Sequence, residues 1–294
     1  MQQTFKLGAH LVRRIGYGAM QLAGPGVMGP PSDPDAARAI LREAVALGVN
    51  HIDTSDYYGP HVTNLLIREA LSPYPDNLLL VIKIGAKRGR DGSWKPALSR
   101  ADLTKAVDDN RRNLGLDVID VVNLRMTSEE LGPVRGSIAE PLSVLIDLQR
   151  QGLVRNIGIS NVTREQVLEA RGLCEIVCVQ NHYNLAHRED DALIDELADA
   201  DIAYVPYFPL GGFQPLQFEA LSRTAQQLDA SPSQVALAWL LRRSPNILVI
   251  PGTGSLTRLR ENLAAQQLNI PDQQLAELNS IGAVRLGSSP GAAT

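Results

Sequence analysis

Short apolar runs alternate with longer amphipathic segments along almost the whole chain. Continuous apolar runs of roughly 4–8 residues are typical of buried strands, whereas apolar residues spaced three and four positions apart are typical of helices with one buried face. The short runs predict these strands: Arg14–Gly18, Val49–Asp53, Leu78–Lys83, Ile119–Leu124, Asn156–Ser160, Ile176–Gln180, Ile202–Pro206 and Ile247–Ile250.

The amphipathic segments predict a helix after most of these strands. Asp35–Leu47 carries its apolar residues on one stripe, and Gly48 is expected to end it. Ser99 is a candidate N-cap for the helix Arg100–Leu114. The other predicted helices are Ile138–Arg150, Arg164–Arg171, Asp190–Ala198, Leu216–Leu228, Pro232–Arg242, Thr257–Gln267 and Asp272–Ile281.

Strands that alternate with helices pair in parallel through right-handed crossovers. Eight such strands fit a closed barrel, and neither a Pro/Gly/Ser-rich linker nor a break in composition divides the chain. The pattern therefore predicts an α/β protein with a single (β/α)8 TIM-barrel domain over residues 1–294, in which the Gly/Pro cluster at 24–31 is a loop. Active sites of such barrels lie at the C-terminal ends of the strands, although the fold itself names no reaction.

Composition and charge narrow the class further. The 294 residues are 44% hydrophobic and 20% charged, which excludes a disordered chain, and a net charge of −4 gives no reason to expect nucleic-acid binding. No apolar run approaches the roughly 20 residues that span a bilayer, and the first residues lack the regions of a signal peptide. Cys174 and Cys178 lack convincing metal partners, so we expect core packing and no metal site. Two cysteines cannot form a disulfide framework, which suits a reducing compartment, and we expect a cytoplasmic location.

Polar side chains follow the second and third predicted strands. Asp53 closes one apolar run, Tyr57 and Tyr58 follow in the next turn, and Lys83 ends the third strand. A lysine ammonium beside a phenol favours the phenolate and is expected to lower the pKa of the tyrosine, while a carboxylate orients the lysine. Together these residue types predict a tyrosine that donates a proton to a carbonyl.

The segment Asp53–Gly59 resembles the signature of the aldo-keto reductase superfamily, with Asp53 and Tyr58 in catalytic positions, and Lys83 matches the family's lysine. The resemblance implies NADPH-dependent reduction of aldehydes or ketones on a (β/α)8 barrel that lacks the usual Gly-rich dinucleotide motif. It continues in the expected order through Gly158–Asn161, Val179–Asn181, Tyr207–Gly211 and Ile250–Asn262.

The same resemblance implies residues for the nicotinamide end of the cofactor. Ser160, Asn161 and Gln180 match the residues that hydrogen-bond the carboxamide. Tyr207 matches the aromatic residue that stacks on the nicotinamide ring.

At the other end of the cofactor, Gly252, Thr253 and Ser255 match the segment that lines the adenosine phosphates. Arg258 falls where the family often places an arginine on the 2′-phosphate, and Asn262 falls where it contacts adenine. Gly252 departs from the pattern, because many members have a lysine there. Despite this departure, the arginine at the place of the 2′-phosphate contact makes NADPH the cofactor that the resemblance favours.

Arg125 stands where the family usually has a catalytic histidine at the end of the fourth strand. It is either a loop residue paired with an acid or a cation that orients the carbonyl or an anionic group of the substrate. In both cases Tyr58 remains the proton donor, and strand alternation places Asn123 deeper in the barrel on the same face.

The stretches Gly59–Asn64 and Val122–Arg125 resemble a bacterial subgroup associated with pyridoxal reductase activity. This implies reduction of the aldehyde of pyridoxal to the alcohol of pyridoxine by a monomer, with another small aldehyde as the open alternative for the substrate. Two other functions stay open: a Schiff-base lyase of the aldolase type that uses Lys83, and an NADPH-binding redox sensor with little turnover.

Overall fold

In a computed structural model the described residues are 2–127, 132–212 and 216–286, with the backbone alone for 282–286. The strands, in chain order, are β1 (Thr4–Leu7), β2 (His10–Arg13), β3 (Tyr17–Gly18), β4 (His51–Ser55), β5 (Leu79–Ile84), β6 (Ala86–Arg88), β7 (Trp94–Pro96), β8 (Ile119–Arg125), β9 (Val154–Ser160), β10 (Ile176–Gln180) and β11 (Ala203–Tyr204). The helices are α1 (Pro34–Ala46), α2 (Val62–Leu71), α3 (Arg100–Leu114), α4 (Ala139–Arg150), α5 (Arg164–Leu173), α6 (Asp191–Asp199), α7 (Glu219–Gln227), α8 (Pro232–Arg243), α9 (Leu256–Ala264) and α10 (Asp272–Leu286).

Seven of these strands form one parallel sheet in the order β3, β4, β5, β8, β9, β10, β11. The segment 247–249 closes it, because Ile247 bridges Tyr204 on one side and Val249 bridges Ile15 on the other, both in parallel. The N–H of Leu248 donates to the Tyr204 carbonyl at 2.9 Å across this junction. The eighth predicted strand thus completes the barrel, and the predicted (β/α)8 fold is confirmed.

The barrel interior contains a small apolar core below the C-terminal strand ends. It includes Leu79, Val81 and Val121 from the central strands. The antiparallel hairpin β1–β2, which the sequence analysis does not predict, adds Phe5 and Val12 to this core. The interior is therefore packed at one end, and polar side chains collect at the other.

A larger apolar core lies between the strands and the surrounding helices, as the amphipathic patterns predict. Ser99 caps α3 by accepting a hydrogen bond from the backbone N–H of Asp102, and Gly48 follows the end of α1 with a φ of 93°. Helix α2 is not among the predicted helices, and His61 precedes it with a φ of 67° and no side-chain cap bond.

Two further predictions concern membrane spans and the number of domains. Within the described part of the chain, no helix has the length and apolar content that crossing a bilayer requires. The assignment of all 294 residues to one domain stays a prediction.

Candidate active site

A cavity of about 710 Å³ opens at the C-terminal ends of the barrel strands. Its walls come from the strand ends and from the loops that follow them, where the barrel fold predicts the active site. The predicted site residues that line it are Asp53, Tyr58, Lys83, Arg125, Asn161, Gln180, Tyr207 and Gly252.

A buried ion pair forms the floor of this cavity. The Nζ of Lys83 donates to Oδ1 of Asp53, and Nε2 of Gln180 donates to the other carboxylate oxygen at 2.9 Å. Asp53 is 3% exposed and Lys83 is 5% exposed, so water screens neither charge. Because the carboxylate neutralises the ammonium and both its oxygens are bonded, the pair is held in one geometry.

Tyr58 lies beside this pair in the turn after β4, with the Nζ of Lys83 5.1 Å from the ring centroid. We expected the lysine to lower the pKa of Tyr58, but the structure gives the opposite direction. Burial raises this pKa above its usual value, the charge of Asp53 raises it further, and Arg125 lowers it. Lys83 is engaged by Asp53, so desolvation dominates and the phenol keeps its proton at neutral pH.

An aromatic wall that the sequence analysis does not predict stands next to Tyr58. The ring of Trp94 meets Tyr57 edge-on at 5.4 Å and Tyr58 at 6.5 Å between centroids. Behind it, the Cζ of Arg88 lies 4.0 Å from the Trp94 ring, and Arg88 also donates to the carbonyl of Gly26 at 2.8 Å. These contacts fix an indole surface beside the proton donor.

Trp94 belongs to the hairpin β6–β7, which follows β5 directly. Residues 89–93 connect its two strands; in this loop Gly92 has a φ of 79° and Asp91 accepts from the N–H of Ser93 at 3.1 Å. An Asp-Gly pair is a strong hairpin signal, so this hairpin could have been predicted from the sequence.

Arg125 ends β8 and points into the same cavity. Its Nη1 donates to Oγ of Ser160 at 3.3 Å, and its Cζ lies 4.7 Å from the centroid of the Tyr207 ring. No carboxylate of the described residues lies within ion-pair distance of this guanidinium. The described residues therefore give no support to the interpretation of Arg125 as a loop residue paired with an acid.

Asn161 orients Tyr207. The Tyr207 hydroxyl donates to Oδ1 of Asn161 at 2.8 Å, and Nδ2 of Asn161 donates to the carbonyls of Met126 and Gly132, both at 2.7 Å. His182 lies nearly parallel to the Tyr207 ring at 5.4 Å. Both ends of the Asn161 amide are thus used within the protein, and its predicted contact with the cofactor stays a prediction.

At the edge of the cavity, two backbone segments approach so closely that only glycine fits. A Cβ on Gly252 would lie 2.6 Å from the carbonyl oxygen of Gly18, and a Cβ on Gly18 would lie 2.5 Å from that of Ile250. The hydroxyl of Tyr17 donates to the Thr253 carbonyl at 2.7 Å and holds the segment in place. A lysine, or any residue with a Cβ, would not fit at position 252 without a shift of this backbone.

The segment then leads into α9. Ser255 caps the helix by accepting from the N–H of Arg258. The Arg258 side chain is exposed and forms no ion pair with a described residue, whereas Arg260 pairs with Glu43 at 2.7 Å. Asn262 is buried on the same helix. A free arginine at a helix N-terminus is suited to bind a phosphate.

These residues fit a nicotinamide cofactor. Oε1 of Gln180 is buried and has no hydrogen-bond partner among the described residues. Because an unpaired buried acceptor is costly, it is suited to receive an N–H from an amide such as the carboxamide.

A closed (β/α)8 barrel with a Tyr–Lys–Asp cluster at its C-terminal mouth defines a class of barrel oxidoreductases. The chain matches the description "Aldo/keto reductase family" over residues 14–283 and belongs to that family. The predicted family and enzyme class are therefore confirmed.

The pyridoxine 4-dehydrogenase of Escherichia coli (strain K12) is 64% identical over 279 residues, which are 95% of this chain and 98% of the relative. A protein of Schizosaccharomyces pombe described as an uncharacterized oxidoreductase is 34% identical over 95% of this chain and 90% of its own. A thermostable aldo-keto reductase solved with the inhibitor epalrestat is 28% identical with a TM-score of 0.80, covering 96% of this chain and 100% of that one.

The close backbone approach at Gly252 predicts a sharp difference between two neighbouring glycines. Gly252→Ala should lower stability by about 1–3 kcal/mol, because the new Cβ meets a backbone oxygen. Gly254→Ala is the matched control, since its nearest neighbour would be 3.9 Å away. Urea unfolding of both variants measures the difference, and equal midpoints would contradict the contact.

Proposed function

We propose that this chain reduces an aldehyde to an alcohol with NADPH, and that pyridoxal, reduced to pyridoxine, is its substrate. The observation that carries the proposal is Tyr58 beside the buried Asp53–Lys83 pair in a cavity large enough for a substrate. The 64% identity to a protein named pyridoxine 4-dehydrogenase supports the substrate.

NADPH is the cofactor of this family, and when bound it supplies the hydride for the carbonyl carbon. Tyr58 donates its phenolic proton to the carbonyl oxygen, which becomes the hydroxyl of the product. The high pKa of the buried phenol keeps this proton available at neutral pH. Arg125, whose charge lowers the pKa of Tyr58, then stabilises the phenolate, and Asp53 holds Lys83 in position beside the ring.

Different residues of the chain bind different parts of the cofactor. Gln180 and Ser160 bind the carboxamide, and Tyr207, oriented by Asn161, provides a flat surface for the ring. Arg258 binds the 2′-phosphate. The remaining contacts, with the phosphates and adenine, come from Gly252, Thr253, Ser255 and Asn262.

The two alternative functions are less well supported. A Schiff-base lyase needs a neutral lysine amine, whereas Lys83 donates to a carboxylate in a buried ion pair. A redox sensor with little turnover was suggested by the missing histidine, yet Tyr58, Lys83 and Asp53 lie together here. Rapid multiple turnover with an aldehyde is the result that rejects the sensor.

We also propose a cytoplasmic monomer without nucleic-acid or membrane partners. Cys174 and Cys178 are free thiols, as in a reducing compartment. The exposed large apolar side chains of the described residues are distributed over several elements, including β2, α2, α5 and α9. Light scattering should give a mass near 31.9 kDa, and twice that mass would contradict the monomer.

Tyr58→Phe should lower the turnover of pyridoxal by about 10²–10⁴-fold, because it removes the proton donor and keeps the ring. NADPH binding, measured by fluorescence titration, should change little. Tyr57→Phe is the matched control: its hydroxyl is buried without a partner in the described structure, so its loss should have a much smaller effect. More than a tenth of wild-type turnover in Tyr58→Phe would reject the role.

Arg258→Ala should weaken NADPH far more than NADH, because only NADPH carries the 2′-phosphate. Loss of a charge-assisted hydrogen bond predicts a change of about ten- to a hundredfold in Kd for NADPH. Arg260→Ala removes the same charge two residues away, from a side chain that pairs with Glu43, and should leave the ratio of the two Kd values unchanged. If Arg258→Ala weakens the binding of NADPH and NADH equally, Arg258 does not bind the 2′-phosphate.

A further inference from the structure

Among the described residues that line the cavity, positive side chains outnumber negative ones. The one carboxylate among the described lining residues is Asp53, and Lys83 already neutralises it. Two further cations, Arg125 and Lys95, also line the cavity, and neither has a described carboxylate within 4.0 Å. On a chain with a net charge of −4, this makes the cavity locally positive.

Lys95 differs from its neighbour across the hairpin. Lys87 and Lys95 are directly opposite in the β6–β7 register, and Lys87 forms an ion pair with Asp102 at 3.0 Å. Lys95 instead lines the cavity. Its charge lies in the field of Asp91, an exposed acid at the hairpin turn whose carboxylate accepts from the Ser93 hydroxyl at 2.6 Å. The two side chains do not come within ion-pair distance, so Lys95 forms no ion pair with a described residue.

An aromatic surface connects Lys95 with the proton donor. Trp94 precedes Lys95 in β7, and its ring contacts Tyr58, which donates the proton to the carbonyl in the proposed function. A flat ring that lies against the indole can therefore present a carbonyl to Tyr58 and a second group to a cation.

We propose that the cavity selects aromatic aldehydes that carry a second, anionic group, with Lys95 as a specificity-determining residue and Arg125 as the other cation that has no ion pair with a described residue. The inference rests on the proposed function and adds the charge of the substrate to it. A negative group that enters the cavity gains attraction from both cations and meets no unpaired described carboxylate.

The test compares 4-carboxybenzaldehyde with its methyl ester, two aldehydes of similar shape that differ in charge. Wild-type kcat/KM with NADPH should favour the carboxylate by about tenfold at low salt, and added NaCl should reduce this preference. Lys95→Met should lower the preference by about three- to tenfold, mainly through KM for the carboxylate. Lys95→Arg, which keeps the charge, should retain most of it.

Lys87→Met is the matched control, because it removes the same charge from the same hairpin at a side chain outside the cavity. This variant should leave kcat/KM unchanged for both aldehydes. The inference is overturned if Lys95→Met keeps the wild-type preference for the carboxylate, or if the wild type favours the ester. In either case, reduction of both aldehydes would still support the proposed function. If neither aldehyde nor pyridoxal is reduced, the proposed function itself fails.

Discussion

The buried ion pair between Asp53 and Lys83 is the interaction on which the site depends. Removing two charges from water costs several kcal/mol per ion, and only close pairing with further hydrogen bonds offsets that cost. Here Lys83 takes one carboxylate oxygen and Gln180 takes the other. Such pairs contribute little to stability, and this one lies directly beside the proton donor Tyr58.

The barrel makes this arrangement possible by bringing distant segments to one end. Asp53 and Gln180 are 127 positions apart in the chain and meet because β4 and β10 both end at the same mouth. The ion pair cancels its own charge, so the cations that remain free in the described structure, Arg125 and Lys95, set the sign of the cavity. Arg125 thus serves both proton transfer and substrate choice, and Lys95 serves substrate choice.

The sequence predicted most of the barrel because strand and helix periodicities are local signals. Strand alternation also placed Asn123 below Arg125: the register pairs them with Gly158 and Ser160, and Asn123 is fully buried. The alternation carries no information on how far a cation is compensated. The prediction that the pKa of Tyr58 is lowered was therefore wrong, because this pKa depends on the burial of Tyr58 and on the pairing of Lys83 with Asp53.

Other parts of the site needed three-dimensional contacts or local signals that we did not use. The close approach of Gly252 to Gly18 involves segments more than 230 residues apart, which no local pattern reveals. Trp94 and Lys95 depend on a hairpin whose Asp91–Gly92 turn was readable but unused. Helix α2 lacked a cap signal, and it immediately follows the tyrosine-bearing turn.

The most direct test of the account is a double-mutant cycle on the ion pair, with urea unfolding and pyridoxal turnover measured for Asp53→Asn, Lys83→Met and both together. Each single variant should lose about 3–5 kcal/mol of stability, because it leaves one buried charge unpaired. The double variant should recover most of that loss and still be unable to reduce pyridoxal, since the pair serves proton transfer by Tyr58. A double variant with wild-type turnover, or one that loses the sum of both single effects, would contradict the account.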